Sequence, residues 1–211
     1  MAALGLLLGL GWVVLFSPLL AAKTVQLVGA QRLTATDVDP LVAPELGQPL
    51  ARVDTGALEE LLSELPAVDD VTVLRVWPST LEVRVTERIP VAAVPAEGGF
   101  ALLDAEGVAV DQEEQPPKDL PLVSAKTARA GDDALLAAAQ VLDQLPESIR
   151  AQVAGTEALT QDSVTLTLKS NATVIWGSPE ESSFKAEVLQ VLLQRGATVY
   201  DVSAPGTPVT R

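Results

Sequence analysis

Few residues able to do chemistry are present in this sequence of 211 residues, which holds no His and no Cys. Their absence removes thiol nucleophiles, Ser-His-Asp triads, disulfides and the common zinc ligand sets. Carboxylates remain, and Glu87 and Asp104 are the least poor candidates for a general acid or base. Asp104 precedes the turn Ala105-Glu106-Gly107 and reads as an Asx-turn residue, because no second oxygen cluster accompanies it to hold a metal. Glu113-Glu114 is no catalytic dyad, since adjacent residues do not converge and nothing apolar surrounds them to raise a pKa. Asn171-Ala172-Thr173 matches a glycosylation sequon but reads as a turn. What remains is backbone. Thr198 to Ser203 alternates like a strand, and Pro205 and Pro208 keep the following Ala204 to Arg211 out of any central strand, so that stretch belongs at a sheet edge.

The elements that must position such an edge are organised around Leu65 to Ala92. From Val68 to Val76, and again from Leu81 to Val85, aliphatic residues alternate with Asp70, Thr72, Arg75, Glu82, Arg84 and Thr86, the period of half-buried strands. Trp77-Pro78-Ser79-Thr80 supplies the turn, so the two strands pair antiparallel, and Arg88-Ile89-Pro90 ends the second. Leu65-Pro66, Val68, Val71, Val73, Arg75, Trp77-Pro78, Thr80-Leu81, Val83, Val85, Glu87-Arg88 and Pro90-Val91 together resemble the end of the POTRA domain of FtsQ/DivIB cell-division proteins, of actinobacterial type. The order of elements on either side agrees, so the resemblance covers nearly the whole chain.

An apolar fraction of 48% supports a buried core throughout, and aromatics at 3% make that core aliphatic. The net charge of −14 lies entirely after Ala22. A surface so acidic repels phosphate backbones and excludes nucleic acid as the main partner. No cofactor is expected.

Ala2 to Ala22 is uncharged, and its 21 residues at ~1.5 Å each give roughly 31 Å, enough to cross a bilayer core. A cleaved signal peptide is the competing reading, but its apolar region is typically ~7 to 15 residues. The pairs Leu20 with Ala22 and Leu19 with Ala21 also put a bulky residue where cleavage wants a small one. Lys23 and Arg32 follow the segment and no cation precedes it, which alone would place the domains in the cytoplasm. The resemblance implies the opposite, with a basic cytoplasmic tail whose absence here points to a late-assigned start or a truncated sequence.

Thr24 to Val28 reads as a strand. Thr34 to Asp37 offers a capping box for a helix to about Ala43, made irregular by Pro40 and closed by Pro44. Asp54 or Thr55 caps a second helix that buries Leu58, Leu61, Leu62 and Leu65. The order strand, helix, helix, strand, strand is that of a POTRA domain. Beyond it come short strands at Val91 to Val94, Phe100 to Leu103, Val108 to Val110 and Leu122-Val123, with Asp111 to Asp119 a solvated loop. Asp132 to Leu145 reads as a helix, Ile149 to Ala154, Ser163 to Lys169 and Thr173 to Trp176 as strands. Ser178-Pro179-Glu180-Glu181 reads as a helix start with Ser178 as N-cap, ahead of the stripe Val188, Leu189, Leu192, Leu193 and the stop Gly196.

The fold class expected is therefore α+β: a transmembrane helix at residues 1–22, a POTRA domain at 23–90, and a mixed β-sheet domain with two flanking helices at 91–211. Phe184 and Lys185 are similar to the family's "K...L..LL" helix, with Lys185 solvated or stabilising the fold. The resemblance implies a non-enzymatic, single-pass type II membrane protein of the division septum. Its bulk would lie outside the membrane and would join an FtsB/DivIC-like and FtsL-like subcomplex to the septal peptidoglycan synthase. In that family the terminal edge strand is extended by a strand of the FtsB/DivIC partner. This makes Tyr200, Val202, Ser203, Ala204, Gly206, Thr207 and Val209 the expected contacts, although Ser203 and Ala204 do not match in kind the aromatic and basic positions that fall there. An exposed edge merely guarded by proline is the bland alternative. Asp70, Val73 and Arg75 align with positions of a second, recruiting surface, or are a core residue and two exposed charges. A chaperone-like module for envelope protein assembly is the alternative function, against which stands the lack of tandem copies or barrel strands. An enzyme of wall polymer would have to rely on Glu87 or Asp104.

Overall fold

The computed structural model describes residues 11–12 and 14–211. Two compact units meet in the sequence between Arg88 and Ile89. The span expected over Ala2 to Ala22 lies at residues 2–10 and 13 outside the described residues, and among the described residues no helix is long and apolar enough to cross a membrane. Helical geometry at residues 14–16 gives way at Ser17, whose hydroxyl accepts the Leu19 N–H ahead of the 3-10 turn Pro18–Leu20. Ala21 and Ala22 are buried in the first unit.

That unit runs β1 Thr24–Val28, α1 Ala35–Val42, α2 Thr55–Ser63, β2 Val68–Val76 and β3 Thr80–Glu87. The sheet order is β1-β3-β2, with β3 parallel to β1 and antiparallel to β2. This is the expected βααββ module. Period-2 residues Val71, Val73, Leu81, Val83 and Val85 face the buried side, where Leu50, Val53, Leu58 and Leu62 complete the core. The Asp37 carboxylate accepts the Thr34 N–H at 2.9 Å and its hydroxyl at 2.6 Å, which closes the first turn of α1. Both bonds hold the Asp37 carboxyl below its ordinary pKa. Asp54 caps α2 by accepting the Ala57 N–H at 3.1 Å. The stripe on α2 is narrower than expected: Leu61 is exposed, because across nine residues only the i, i+4 pair Leu58 and Leu62 points squarely at the sheet.

The second unit builds one nine-stranded mixed sheet, ordered β12-β11-β10-β9-β8-β7-β4-β5-β6. Its strands are β4 Ala92–Ala96, β5 Gly99–Leu103, β6 Ala109–Glu113, β7 Leu122–Val123, β8 Val153–Ala158, β9 Val164–Leu168, β10 Thr173–Gly177, β11 Val199–Asp201 and β12 Val209–Thr210. Its helices are α3 Ala125–Ala130, α4 Asp132–Gln144, α5 Glu147–Arg150 and α6 Ser182–Leu192. The core joins Val141, Leu142 and Leu145 at the end of α4 to Leu189 and Leu192 of α6 and to Leu166, Val174 and Trp176 of the sheet.

Three expectations are corrected here. Ile149 lies in a helical turn, not a strand, because the N–H groups of Ile149 and Arg150 both reach the Pro146 carbonyl at 2.9 Å; the strand begins at Val153. Asp111 to Glu113 is strand rather than loop: β6 is an edge strand, paired on one side only, and tolerates polar residues. Ser178 does not cap α6, which starts at Ser182 behind Glu181 in the left-handed region at φ 54°. The cause is Lys185, whose Nζ donates to the Ser178 carbonyl at 2.8 Å, while Ser182 Oγ donates to the Pro179 carbonyl at 2.7 Å and accepts Trp176 Nε1–H at 3.1 Å. The Ser178 to Glu181 stretch is thereby folded into a turn.

Candidate partner-binding edge

Strand β12 ends the nine-stranded sheet, beyond β11. Arg211 and Val199 exchange both backbone bonds at 3.0 Å, N–H to O in each direction. The next facing pair, Tyr200 and Thr210, is therefore a non-hydrogen-bonded pair, and the N–H and C=O of Thr210 point away from β11. Val209, opposite Asp201, turns its own amide inward. An incoming strand would thus meet Thr210 as donor and acceptor.

Side chains alternate in the same way. Tyr200 and Val202 are buried in the core, so only their backbone lies near the edge, and the outer side of Tyr200 is already covered by β12. On the opposite face Ile175, Val199, Asp201, Val209 and Arg211 line a small hollow of about 90 Å³. Ile175 and Val209 are among the exposed large apolar residues there. Between β11 and β12 the chain makes a loop whose start is pinned: Ser203 donates its N–H and hydroxyl to Asp201 Oδ1 at 3.1 and 2.7 Å. Ala204, Gly206 and Thr207 lie in an exposed turn closed by Thr207 N–H on the Ala204 carbonyl at 2.9 Å. Of the expected contacts, Ser203, Ala204, Gly206, Thr207 and Val209 share this rim. Thr210, Val199 and Ile175 were not among them, although the alternation of Val199 to Asp201 was their available signal.

The hairpin residues do not form one surface. Val73 is buried and gives its outward N–H to Glu59 Oε1 on α2 at 2.8 Å. Arg75 donates to the Val53 carbonyl at 2.6 Å and so sits at the margin of the helix-bearing face. Asp70 is exposed at the other end of β2, opposite Thr86.

Neither carboxylate singled out for acid/base work is free for it. Glu87 accepts the N–H groups of Gln31, Arg32 and Leu33 at 2.8, 2.9 and 2.7 Å. Burial pushes its pKa up, but these backbone donors and the Arg32 charge outweigh it and hold the carboxyl below its ordinary value. Its neighbour Arg88 donates Nε–H to the Val68 carbonyl at 3.1 Å. Asp104 is buried and accepts the Glu106 and Val108 N–H groups at 3.0 and 2.8 Å, an Asx-type turn. Lys185 is not solvated: it is fully buried, and desolvation lowers its pKa against the pull of Glu181 and Glu180. Among the described residues no group of carboxylates could hold a metal ion.

The two units match two family models, described as POTRA domain, FtsQ-type, over residues 20–88, and as cell division protein FtsQ/DivIB, C-terminal, over residues 92–203. Similar proteins include a cell division protein FtsQ of Streptomyces bingchenggensis, 38% identical over 210 residues that cover 95% of this chain and 79% of the relative. Another, from Streptomyces griseus, is 37% identical over 199 residues, covering 90% of this chain and 96% of the relative. A third, from Mycobacteroides abscessus, is 34% identical over 203 residues, covering 96% of this chain, which spans 65% of that relative's length. On both units and nearly its whole length, the chain belongs to the FtsQ/DivIB family of cell division proteins.

Proposed function

We propose that this chain is a non-enzymatic, membrane-anchored scaffold of the division septum that binds a partner by strand addition at β12. The partner is an FtsB/DivIC-like protein in complex with an FtsL-like one, and through them the chain acts on the septal peptidoglycan synthase from outside the membrane. One observation carries the reading: the outward amide and carbonyl of Thr210 at the end of the sheet. Beside them the hollow under Ile175 and Val209 suits an apolar side chain, and main-chain bonds with alternate side-chain pockets are how added strands gain affinity and register. The apolar run Ala2 to Ala22 supports single-pass anchorage, and the family supports the septum. The hairpin residues Asp70, Val73 and Arg75 are proposed only as a secondary contact, since they do not share one face.

The test replaces Thr210 by Pro. The outward N–H serves no bond inside the fold, so the edge tolerates proline while losing its donor. Affinity for the ectodomain of the FtsB/DivIC-like partner should fall about 10-fold, the equivalent of roughly one hydrogen bond. Unchanged affinity removes β12 from the interface.

A further inference from the structure

We infer that the end of the first unit where the chain enters it is a lipid-facing collar, seated in the headgroup layer of the membrane; this rests on the anchored reading above. The last residues of the apolar run are held on two sides. Ala22 donates its N–H to the Gln48 carbonyl at 2.9 Å and accepts the Gly47 N–H at 2.8 Å. The next residue, Lys23, donates to the Ser79 carbonyl in the β2–β3 turn at 2.8 Å, and β1 starts at once with Thr24 hydroxyl against Thr80 hydroxyl at 2.8 Å. No linker separates the run from the folded unit.

Distance then decides what the flanking residues touch. Headgroup layers add roughly 5–8 Å on each side of the ~30 Å hydrocarbon core. A strand rises only ~3.3 Å per residue, so a turn bonded to Lys23 stays within that layer if Ala22 is at its inner margin. Four large apolar side chains face out at this end among polar neighbours such as Lys23, Thr24 and Arg75: Leu19 is 75% exposed, Trp77 50%, Val76 40% and Leu46 39%. Trp is the side chain best suited to an interface, with an apolar ring and one donor for headgroup oxygens. Arg52 lies over the Phe16 ring, 5.7 Å from its centroid, and with Lys23 puts cations at the level of lipid phosphates. An acidic chain with an apolar and locally cationic end, continuous with an uncharged run, fits a bilayer as the occupant.

The experiment uses the full chain in vesicles of phosphatidylcholine with one part phosphatidylglycerol. The sequence has no Cys, so a nitroxide can be placed singly by Val76→Cys or, as control, by Thr86→Cys near the far end of the hairpin. Expected is co-flotation with lipid. The ratio of oxygen to nickel-chelate collision rates should be several-fold higher at 76 than at 86, and should drop towards the control when Trp77→Ser is added. Flotation with equal ratios at 76 and 86 overturns the collar and leaves anchorage and partner binding standing. Failure to float overturns both collar and anchor. Low collision rates of both reagents at 76, oxygen included, assign the surface to protein, a second copy included, and also overturn it.

Discussion

The Leu33 backbone N–H lies 2.7 Å from Glu87 Oε1, which ties the segment between β1 and α1 to the last residue of β3. With Gln31 and Arg32 this one carboxylate satisfies three consecutive amides, a concave donor set that favours negative charge.

Glu87→Gln should therefore destabilise the first unit by about 2 kcal/mol, since the amide offers one weaker acceptor and brings donors against donors. The pH dependence has a definite sign. Because the folded pKa of Glu87 lies below its unfolded value, its contribution is whole above the ordinary carboxylate range and is lost as the pH falls through the folded pKa. Urea midpoints of parent and variant should differ at pH 7 and converge in acid; a gap independent of pH would assign the loss to shape alone.

Much of this was legible along the chain, for local reasons. The strands of the hairpin and the caps at Thr34 and Asp54 follow from alternation and short-range hydrogen bonds, which a sequence displays directly. What was not legible depended on distant partners. The start of α6 moved three residues because Lys185 reaches back to Ser178, and Ile149 read as strand only because its burial is shared by a helical turn. At the edge, the two prolines correctly placed the last residues outside the sheet centre. The two-residue β12, whose pairing crosses a loop, decides which amides remain open, and period alone does not give that register.

Lys185 is buried with its stem in the core and its ammonium on one carbonyl. Lys185→Ala should cost about 2–4 kcal/mol through the cavity left by three methylenes and the ammonium. Lys185→Met should recover most of that, because it fills the space without a charge to desolvate. Equal losses in both variants, read by denaturant titration, would give the ammonium bond the leading part.

Gly177 closes β10 at φ +79°, and a Cβ placed there would lie 3.1 Å from Ser203 Cβ. Gly177→Ala should cost about 1–2 kcal/mol for the left-handed backbone. It should also push on Ser203, whose two bonds to Asp201 pin the loop into β12. Loss of partner affinity beyond what Ser203→Ala causes would show that the position of this loop, not the Ser203 hydroxyl, sets the edge.

Val209 separates the contribution of side chains from that of backbone at the same strand. Its amide faces β11 and its exposed side chain lines the hollow with Ile175 and Val199. Val209→Glu keeps the ladder to Asp201 but puts a charge, next to Asp201, where an apolar residue of an added strand would dock. Desolvating that carboxylate costs more than the packing it replaces. Binding of the FtsB/DivIC-like ectodomain should weaken by at least about 10-fold, or ~1.4 kcal/mol, while the unfolding midpoint stays within about 0.5 kcal/mol of the parent. Val209→Ile, which keeps the apolar contact, should bind like the parent. If Val209→Glu binds as well as Val209→Ile, the added strand does not use this face, and the affinity resides in the Thr210 amide and carbonyl alone.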